Sequence, residues 1–249
     1  MGTLMEYLAT VSESVRFEND PLIRQYNLAD VQRNRVSFAL NWLLFNPLSI
    51  GFNGHYNQDN YDQSELGLTF ADSFSGTVDL NYAIHEGLNL YRFYTYEYFQ
   101  NEQDGYTRFT NIGLENRNPE QFWSVDTRDK INTVGVGVDW SVIRSLLDLQ
   151  LDYSYSNALT ETATEQGSKL NGEPLPDLKT ILHSLNVRAN YRFQENWRIQ
   201  LSYRYEFFVT DDYALDNISP DSIDDVLSLG NTSPDYNAQV VGLSAIYEF

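Results

Sequence analysis

The stretch Leu147-Asp-Leu-Gln-Leu-Asp-Tyr-Ser-Tyr155 decides the fold, because its odd positions are apolar and its even positions are polar. Successive side chains of a β-strand point to opposite faces, so this period of two predicts a strand with one apolar and one polar face. The same alternation recurs in other runs along the chain. They are Val36 to Leu44, Leu48 to Tyr56, Phe74 to Ile84, Val134 to Trp140, Leu185 to Phe193, Trp197 to Phe207 and Val241 to Phe249.

Two less regular runs, Leu4 to Phe17 and Leu88 to Phe99, bring the count to about ten antiparallel strands. The faces of the second run are left open, because its aromatic residues fall on both parities. An even strand number is typical of bacterial outer-membrane barrels. The pattern therefore predicts an all-β transmembrane antiparallel β-barrel, and we treat residues 1–249 as a single domain.

The connections between these strands alternate between short and long. The short turns are Asn46-Pro47, His85 to Gly87, Ser141 to Ser145 and Gln194 to Asn196, and the long links lie near 18–31, 58–72, 100–129, 157–180 and 210–235. In bacterial barrels the short turns face the periplasm and the long loops face outward. This asymmetry predicts an outer-membrane protein with both termini in the periplasm.

Three of the four tryptophans lie beside the short turns: Trp42, Trp140 and Trp197. Amphipathic aromatic rings concentrate at the membrane–water interface, so these residues predict a membrane belt at the periplasmic rim. The alternative is that they plug one end of a soluble β core, where each ring would bury a large area.

The strand charges share the parity of the polar face. They are Asp79, Asp139, Asp148, Asp152, Arg188, Arg192, Arg198, Arg204 and Glu206. A charge on the lipid face costs about 2–4 kcal/mol for Arg or Lys at mid-depth, so we expect these side chains to line a polar lumen.

Composition excludes several functions. The net charge of −19, from 35 acidic and 16 basic residues, argues against a nucleic-acid partner. The chain has no cysteine, which excludes a disulfide framework and the attachment motif of a c-type haem. It also lacks an apolar run of about 18 residues that could form a transmembrane helix. No signal peptide follows Met1, so we expect a mature form or a C-terminal piece.

An enzymatic alternative would need a histidine beside a carboxylate or serine near the outer rim. His55 fits loosely, since it has inward parity and lies near Asp59. His85 lies in a short turn, and His183 shares the parity of lipid-facing residues. No nucleophile, base and orienting group can be assembled from this spacing, so we expect no catalytic residues.

An acidic loop precedes the last strand. Oxygen ligands in such density could bind Ca²⁺, although the spacing does not match a known calcium loop, and a hydrated surface loop is the alternative. The candidate ligands are Asp211, Asp212, Asp221, Asp224 and Asp225.

The chain ends in an aromatic residue, Phe249, with Tyr247 two positions before it. This ending resembles the signal that the bacterial barrel-assembly machinery recognises. The glycine usual in that signal is not in its expected place, where Ser244 stands. The alternative is a strand that simply ends in phenylalanine.

Several segments, taken in order, resemble the C-terminal portion of the MtrB/PioB family. They are Arg24 to Asp30 with Arg33, Ser64 to Thr69, Pro174 to Lys179 leading to His183-Ser-Leu185, Tyr203 to Glu206 with Asp211-Asp212, and Ser233 to Tyr236. The resemblance implies an outer-membrane barrel that sheaths a periplasmic multihaem c-type cytochrome and supports electron transfer across the membrane. The haem would belong to the partner, and the chain would bind no cofactor of its own.

Family members are much longer, which leaves two interpretations open. A barrel of about eight strands is filled by its own side chains, and about sixteen strands are needed for an aqueous channel. A barrel of ten strands could therefore hardly enclose a cytochrome. The chain is then either a section of a larger barrel, which preserves the sheath function, or a small stand-alone pore or structural barrel. An outer-membrane hydrolase is the third hypothesis.

Overall fold

The computed structural model describes residues 23–24, 29–107, 118–172, 174–212 and 235–248. The strands are β1 (Ile23–Arg24), β2 (Gln32–Phe45), β3 (Leu48–Asn60), β4 (Leu66–His85), β5 (Leu88–Tyr106), β6 (Phe122–Ile143), β7 (Leu147–Gln166), β8 (Leu178–Gln194), β9 (Trp197–Asp211) and β10 (Tyr236–Tyr247), and a 3-10 turn at Pro119–Gln121 precedes β6. No helix within these ranges has the length and apolar character needed to cross a membrane.

Strands β2 to β10 form one antiparallel meander in which each strand pairs with the next along the chain. The prediction of an all-β antiparallel fold is confirmed. The nine long strands β2 to β10 correspond to the nine strands predicted between Val36 and Phe249. The tenth, Leu4 to Phe17, lies outside the described residues. The two-residue β1 was not predicted; it pairs in parallel with β4, at Leu66 and Gly67.

The sheet is open across the described residues, because no pairing joins β2 to β10. It is also a single layer. Its buried apolar side chains, within the same ranges, are Leu66 at 1% exposure and Tyr61 at 7%. Side chains fill the interior of a barrel of about eight strands, and this sheet has no such filled interior.

Several strands are longer than the sequence predicted, so their predicted boundaries were wrong. β4, β5, β6 and β7 contain 20, 19, 22 and 20 residues, whereas a tilted strand crosses a membrane in about 9–11 residues. The long link predicted at 58–72 therefore shrinks to residues 61–65, and 157–180 shrinks to 167–177. These strands continue as a paired ladder where the apolar alternation has stopped.

The four predicted short turns all lie at one end of the sheet. A register shift, which is common at the rims of barrels, lies at or just before each turn, and β6 extends to Ile143, into the turn predicted at Ser141 to Ser145. The shifts are Leu43/Phe45, Ala83/His85, Ser141/Ile143 and Arg192/Gln194. Gly87, with φ of +90°, supplies the left-handed conformation that the β4–β5 turn requires.

Candidate functional site

Strand register divides the side chains between two faces, because directly paired residues point to the same side. On β7 the apolar face begins with Leu147, Leu149 and Leu151, and each pairs with an apolar-face residue of β8. All of the charged residues that the sequence predicted to face inward lie on the polar face. They are Asp79, Asp139, Asp148, Asp152, Arg188, Arg192, Arg198, Arg204 and Glu206.

The register also assigns the faces of β5, which the sequence pattern left open. Tyr94, Tyr96 and Tyr98 pair with apolar-face positions of β6, whereas Tyr91 and Phe93 lie on the polar face. The rings of Tyr91 and Phe93 cover two glycines of β6. A Cβ added at Gly137 or Gly135 would lie 2.2 Å from ring carbons of Tyr91 and Phe93 respectively. Glycine at these positions therefore permits the close approach of the rings.

Charge is unevenly distributed on the polar face. β4 to β7 carry only acidic charges there, at Asp79, Glu97, Asp129, Asp139, Asp148 and Asp152. β8 and β9 carry four arginines and one glutamate. Arg188 donates to Gln150 at 3.0 Å, and Arg204 is paired with Glu206. Arg192 and Arg198 are direct cross-strand partners, and Glu248, whose carboxylate lies 3.1 Å from the Arg198 guanidinium, offsets this like-charge arrangement.

Small hydroxyl side chains join the strands on the rest of the polar face. Their oxygens are 2.9 Å apart in Thr77–Thr95, 3.0 Å in Thr133–Ser156 and 3.1 Å in Thr180–Thr210. These short side chains satisfy one another across the strands, so the wall around them is polar and has no large projecting groups. Such a surface suits water or a polar partner rather than a packed core.

The three predicted belt residues, Trp42, Trp140 and Trp197, lie on the apolar face beside the short turns. Trp197 packs against its cross-strand partner Tyr247, with ring centroids 5.0 Å apart. The interfacial role of these rings stays a prediction, as does the assembly signal, because Phe249 lies outside the described residues. The fourth tryptophan, Trp123, lies at the opposite end, on the polar face.

A second set of aromatic residues on the apolar face was not recognised from the sequence. It lies further from the short turns and includes Tyr56, Phe74, Tyr94, Tyr96, Tyr155 and Phe207. Their parity with the neighbouring apolar residues was the signal that could have revealed them. They mark the far boundary of the apolar region, as the tryptophans mark the near one.

Beyond this boundary the same face of the sheet becomes charged. On β6 it carries Asp126, Arg128 and Lys130 where it had carried valines nearer the turns. Arg128 pairs with Asp126, and Lys130 pairs with Glu161 of β7. The hydrogen bond to Glu161 raises the pKa of Lys130 above its ordinary value. Paired surface charges of this kind are typical of a region in water.

The three histidines lie in separate parts of the sheet. His55 lies on the polar face, as predicted, but Asp59 is engaged by Arg33 at 2.7 and 2.6 Å and lies four residues along the strand. His85 Nδ1 lies 2.8 Å from the Glu86 carbonyl oxygen. His183 lies on the apolar face, where the hydroxyl of Tyr153 lies 2.8 Å from its Nδ1. This pairing lets an imidazole lie among apolar residues.

Within the described ranges, no three His, Asp or Glu side chains are placed to hold a metal ion. Asp211 ends β9 opposite Lys179, and Asp212 follows it. The other calcium candidates, Asp221, Asp224 and Asp225, lie outside the described residues. Calcium binding by the acidic loop therefore stays a prediction.

Antiparallel strands in chain order, an apolar face bounded by aromatic residues and a polar face rich in charge define the class of protein. This is the wall of an outer-membrane β-barrel. The sequence profile of the family "Putative outer membrane beta-barrel porin, MtrB/PioB" matches residues 4–249, and the chain belongs to that family. The apolar face is accordingly the lipid face, and the polar face lines the lumen.

A curated relative is outer membrane protein MtrB of Shewanella baltica (strain OS185), 30% identical over 244 residues, which are 98% of this chain. The chain spans 33% of that protein's length. Among solved structures, copper transporter OprC shares the fold, with a TM-score of 0.63 and 9% identity over 88% of this chain and 34% of OprC. The outer membrane protease OmpT of Escherichia coli aligns over 86% of this chain and 83% of its own, at 14% identity and a TM-score of 0.29.

Proposed function

We propose that the chain forms part of the wall of a wide outer-membrane barrel that sheaths a multihaem c-type cytochrome for electron transfer across the membrane. The observation that carries this proposal is the unfilled polar face. Apart from rings such as those of Tyr91 and Phe93, which lie flat over glycines, its side chains are mainly charged or small polar groups, and within the described ranges almost none is buried. A wall of this kind leaves space for an occupant, which family membership suggests is the cytochrome.

The distribution of charge on the polar face supports a protein occupant. An acidic surface on β4 to β7 and a basic surface on β8 and β9 would orient a partner with complementary patches. The 249 residues contain no cysteine, so this section cannot attach a c-type haem itself. The chain would act as an insulating support without enzymatic activity, and any haem would be the partner's.

The orientation of the wall is part of the proposal. The short turns at one end of the sheet correspond to the periplasmic side of bacterial barrels, and the longer connections to the cell exterior. Both termini of the chain would then be periplasmic. A periplasmic cytochrome would enter the lumen from the end where Arg188, Arg192 and Arg198 lie.

Copurification tests the sheath function. The intact protein, extracted in mild detergent, should carry haem absorbance with it. Reversing two lumen charges, Arg188→Glu with Arg204→Glu, should reduce haem retention by about tenfold, whereas Lys169→Glu at the far end should leave it unchanged. A correctly folded barrel that carries no haem under these conditions would exclude the sheath function.

A diffusion pore is the second candidate. The family description names a porin, and a charged, water-compatible lumen would also suit small solutes. Conductance in planar bilayers separates the two proposals. A pore should conduct when purified alone, and its ion selectivity should shift with Arg188→Glu. A sheath should conduct little while its partner is bound.

A further inference from the structure

Arg92 is a cation on the lipid face of the wall. It lies on β5 between Leu80 of β4 and Val136 of β6, its two direct cross-strand partners. Both neighbours belong to the apolar face, and the side chain of Arg92 is exposed there. Among the described residues, no hydrogen bond or ion pair to Arg92 is formed.

The part of the wall that the structure describes offers no counter-charge to Arg92. β5 is paired on both sides, so no further strand of the barrel can reach its lipid face. The lipid-facing positions of the flanking segments, Phe74 to Tyr82 and Val134 to Trp140, carry no Asp or Glu. A counter-ion must therefore come from the membrane side.

An apolar groove of about 520 Å³ lies beside Arg92. The lipid-face residues that line it are Val78, Leu80, Tyr94, Val134, Val136 and Tyr153. Three of these are valines, and their short side chains leave depth between the larger rings of Tyr94 and Tyr153. A groove of this width and polarity suits a hydrocarbon chain.

The depth of Arg92 favours the headgroups on the short-turn side. Arg92 lies four residues from Leu88 at the rim, which is about 13 Å along the strand and about 10 Å vertically at the usual tilt. The apolar band is about 25 Å tall, so that side is the nearer interface. A long arginine side chain can extend toward the headgroups while its stem stays in the apolar region.

We propose that Arg92 binds the phosphate of a phospholipid in the leaflet on the short-turn side, with an acyl chain of that lipid in the adjoining groove. The guanidinium group matches a phosphate in charge and in hydrogen-bonding geometry. Binding removes the cost of a lone cation on the lipid face. The site is separate from the lumen and does not depend on the occupant of the barrel.

Native mass spectrometry of the intact protein tests this site. Delipidated protein is titrated with phosphatidylglycerol, and with diacylglycerol as the same lipid without phosphate. Arg92→Leu should weaken phosphatidylglycerol binding by about tenfold and leave diacylglycerol binding unchanged. Arg92→Lys should retain most of the binding. The matched control is Arg35→Leu, which removes an arginine from the polar face.

A groove-filling variant, Val134→Phe with Val136→Phe, provides an independent arm, because it should reduce binding of both lipids while Arg92 remains. Folding of each variant is checked by the heat-dependent shift of its mobility on SDS gels. Inorganic phosphate at millimolar concentration should not displace the lipid, since it lacks the chain. Equal phosphatidylglycerol binding by Arg92→Leu and Arg35→Leu would overturn the proposal. If Arg92→Leu loses a bound polypeptide and not lipid, the proposal is also overturned.

Discussion

The two halves of β6 and β7 differ although they belong to the same continuous ladder. Near the short turns, the outer face carries valine, leucine and tyrosine, and the inner face carries aspartate and serine. Beyond Val134 and Tyr155 the same outer face carries Asp126, Arg128, Lys130 and Glu161. Hydrogen bonding between the strands does not change at this boundary. The difference therefore reflects the solvent on the outer face, lipid in one half and water in the other.

The largest expected effect comes from placing one cation in each half of β7. Leu151→Arg puts a guanidinium in the lipid-facing half and should lower the free energy of unfolding by about 2–4 kcal/mol. Ala163→Arg puts it on the same face of the charged half, opposite Asp126, and should cost much less. Urea titration in phospholipid vesicles measures both. Leu151→Ala separates the loss of the leucine from the added charge, and equal effects of the two arginines would remove the proposed boundary.

The aromatic edge of the lipid-facing half should give the next largest effect. Trp197→Ala removes both an interfacial ring and its contact with Tyr247, and should cost about 1–2 kcal/mol. Trp197→Phe keeps the ring contact and should recover part of the loss. The same vesicle titration measures these variants. If Trp197→Ala has no effect in vesicles, the tryptophan belt is not at the interface.

Removing a cation from the charged half should change stability only slightly. Lys130 is partly exposed and pairs with Glu161 at the surface, so Lys130→Met exchanges a screened ion pair for a partly exposed apolar side chain. The unfolding midpoint in urea should therefore be nearly unchanged. A clear stabilisation by methionine would show that Lys130 faces lipid, and the boundary would have to move outward.

The smallest effect concerns pH at the end of the β2–β3 pair, beyond the lipid-facing half. The hydrogen bond from Arg33 holds the pKa of Asp59 below its ordinary value. The stabilisation from this pair is therefore present above about pH 4 and is lost as pH falls through the lowered pKa of the folded state.

Carboxyl NMR of Asp59 measures this pKa, and Arg33→Gln should return it toward the ordinary range. Relative to the intrinsic exchange rate, which itself falls in acid, the protection of the amides along β2 should decrease as pH falls in the unaltered protein. It should lose that pH dependence in Asp59→Asn. An unchanged Asp59 pKa in Arg33→Gln would show that the ion pair does not form in solution.

The same boundary explains what could be predicted from the sequence. Alternation revealed Val134 to Trp140 because lipid requires an apolar residue at every second position there. The extension of that strand back to Phe122 produced no such signal, because its outer face carries charged residues and its inner face mixes polar and apolar ones. Alternation therefore detected the lipid-facing parts of the strands, and the water-exposed extensions were interpreted as loops.

The candidate site was predicted in part for a related reason. Parity alone placed Arg188 and Asp152 on the polar face, since neighbouring positions were clearly apolar. Parity failed on β5, where Tyr91 and Tyr94 are both aromatic but lie on opposite faces. Arg92 was missed for the same reason. Only the register with β6 shows that its neighbours are lipid-facing.

A cysteine scan along β7 tests the central claim most directly, because the chain has no cysteine and each substitution supplies a unique thiol. The claim is that the outer face meets lipid up to Tyr155 and water beyond it, while the inner face lines a polar lumen. A water-soluble maleimide applied to the partner-free barrel should label even positions along the whole strand. It should label odd positions only from Asn157 onward. Alternating labelling that continues to Gln166, or equal labelling at Leu151 and Asp152, would contradict the claim.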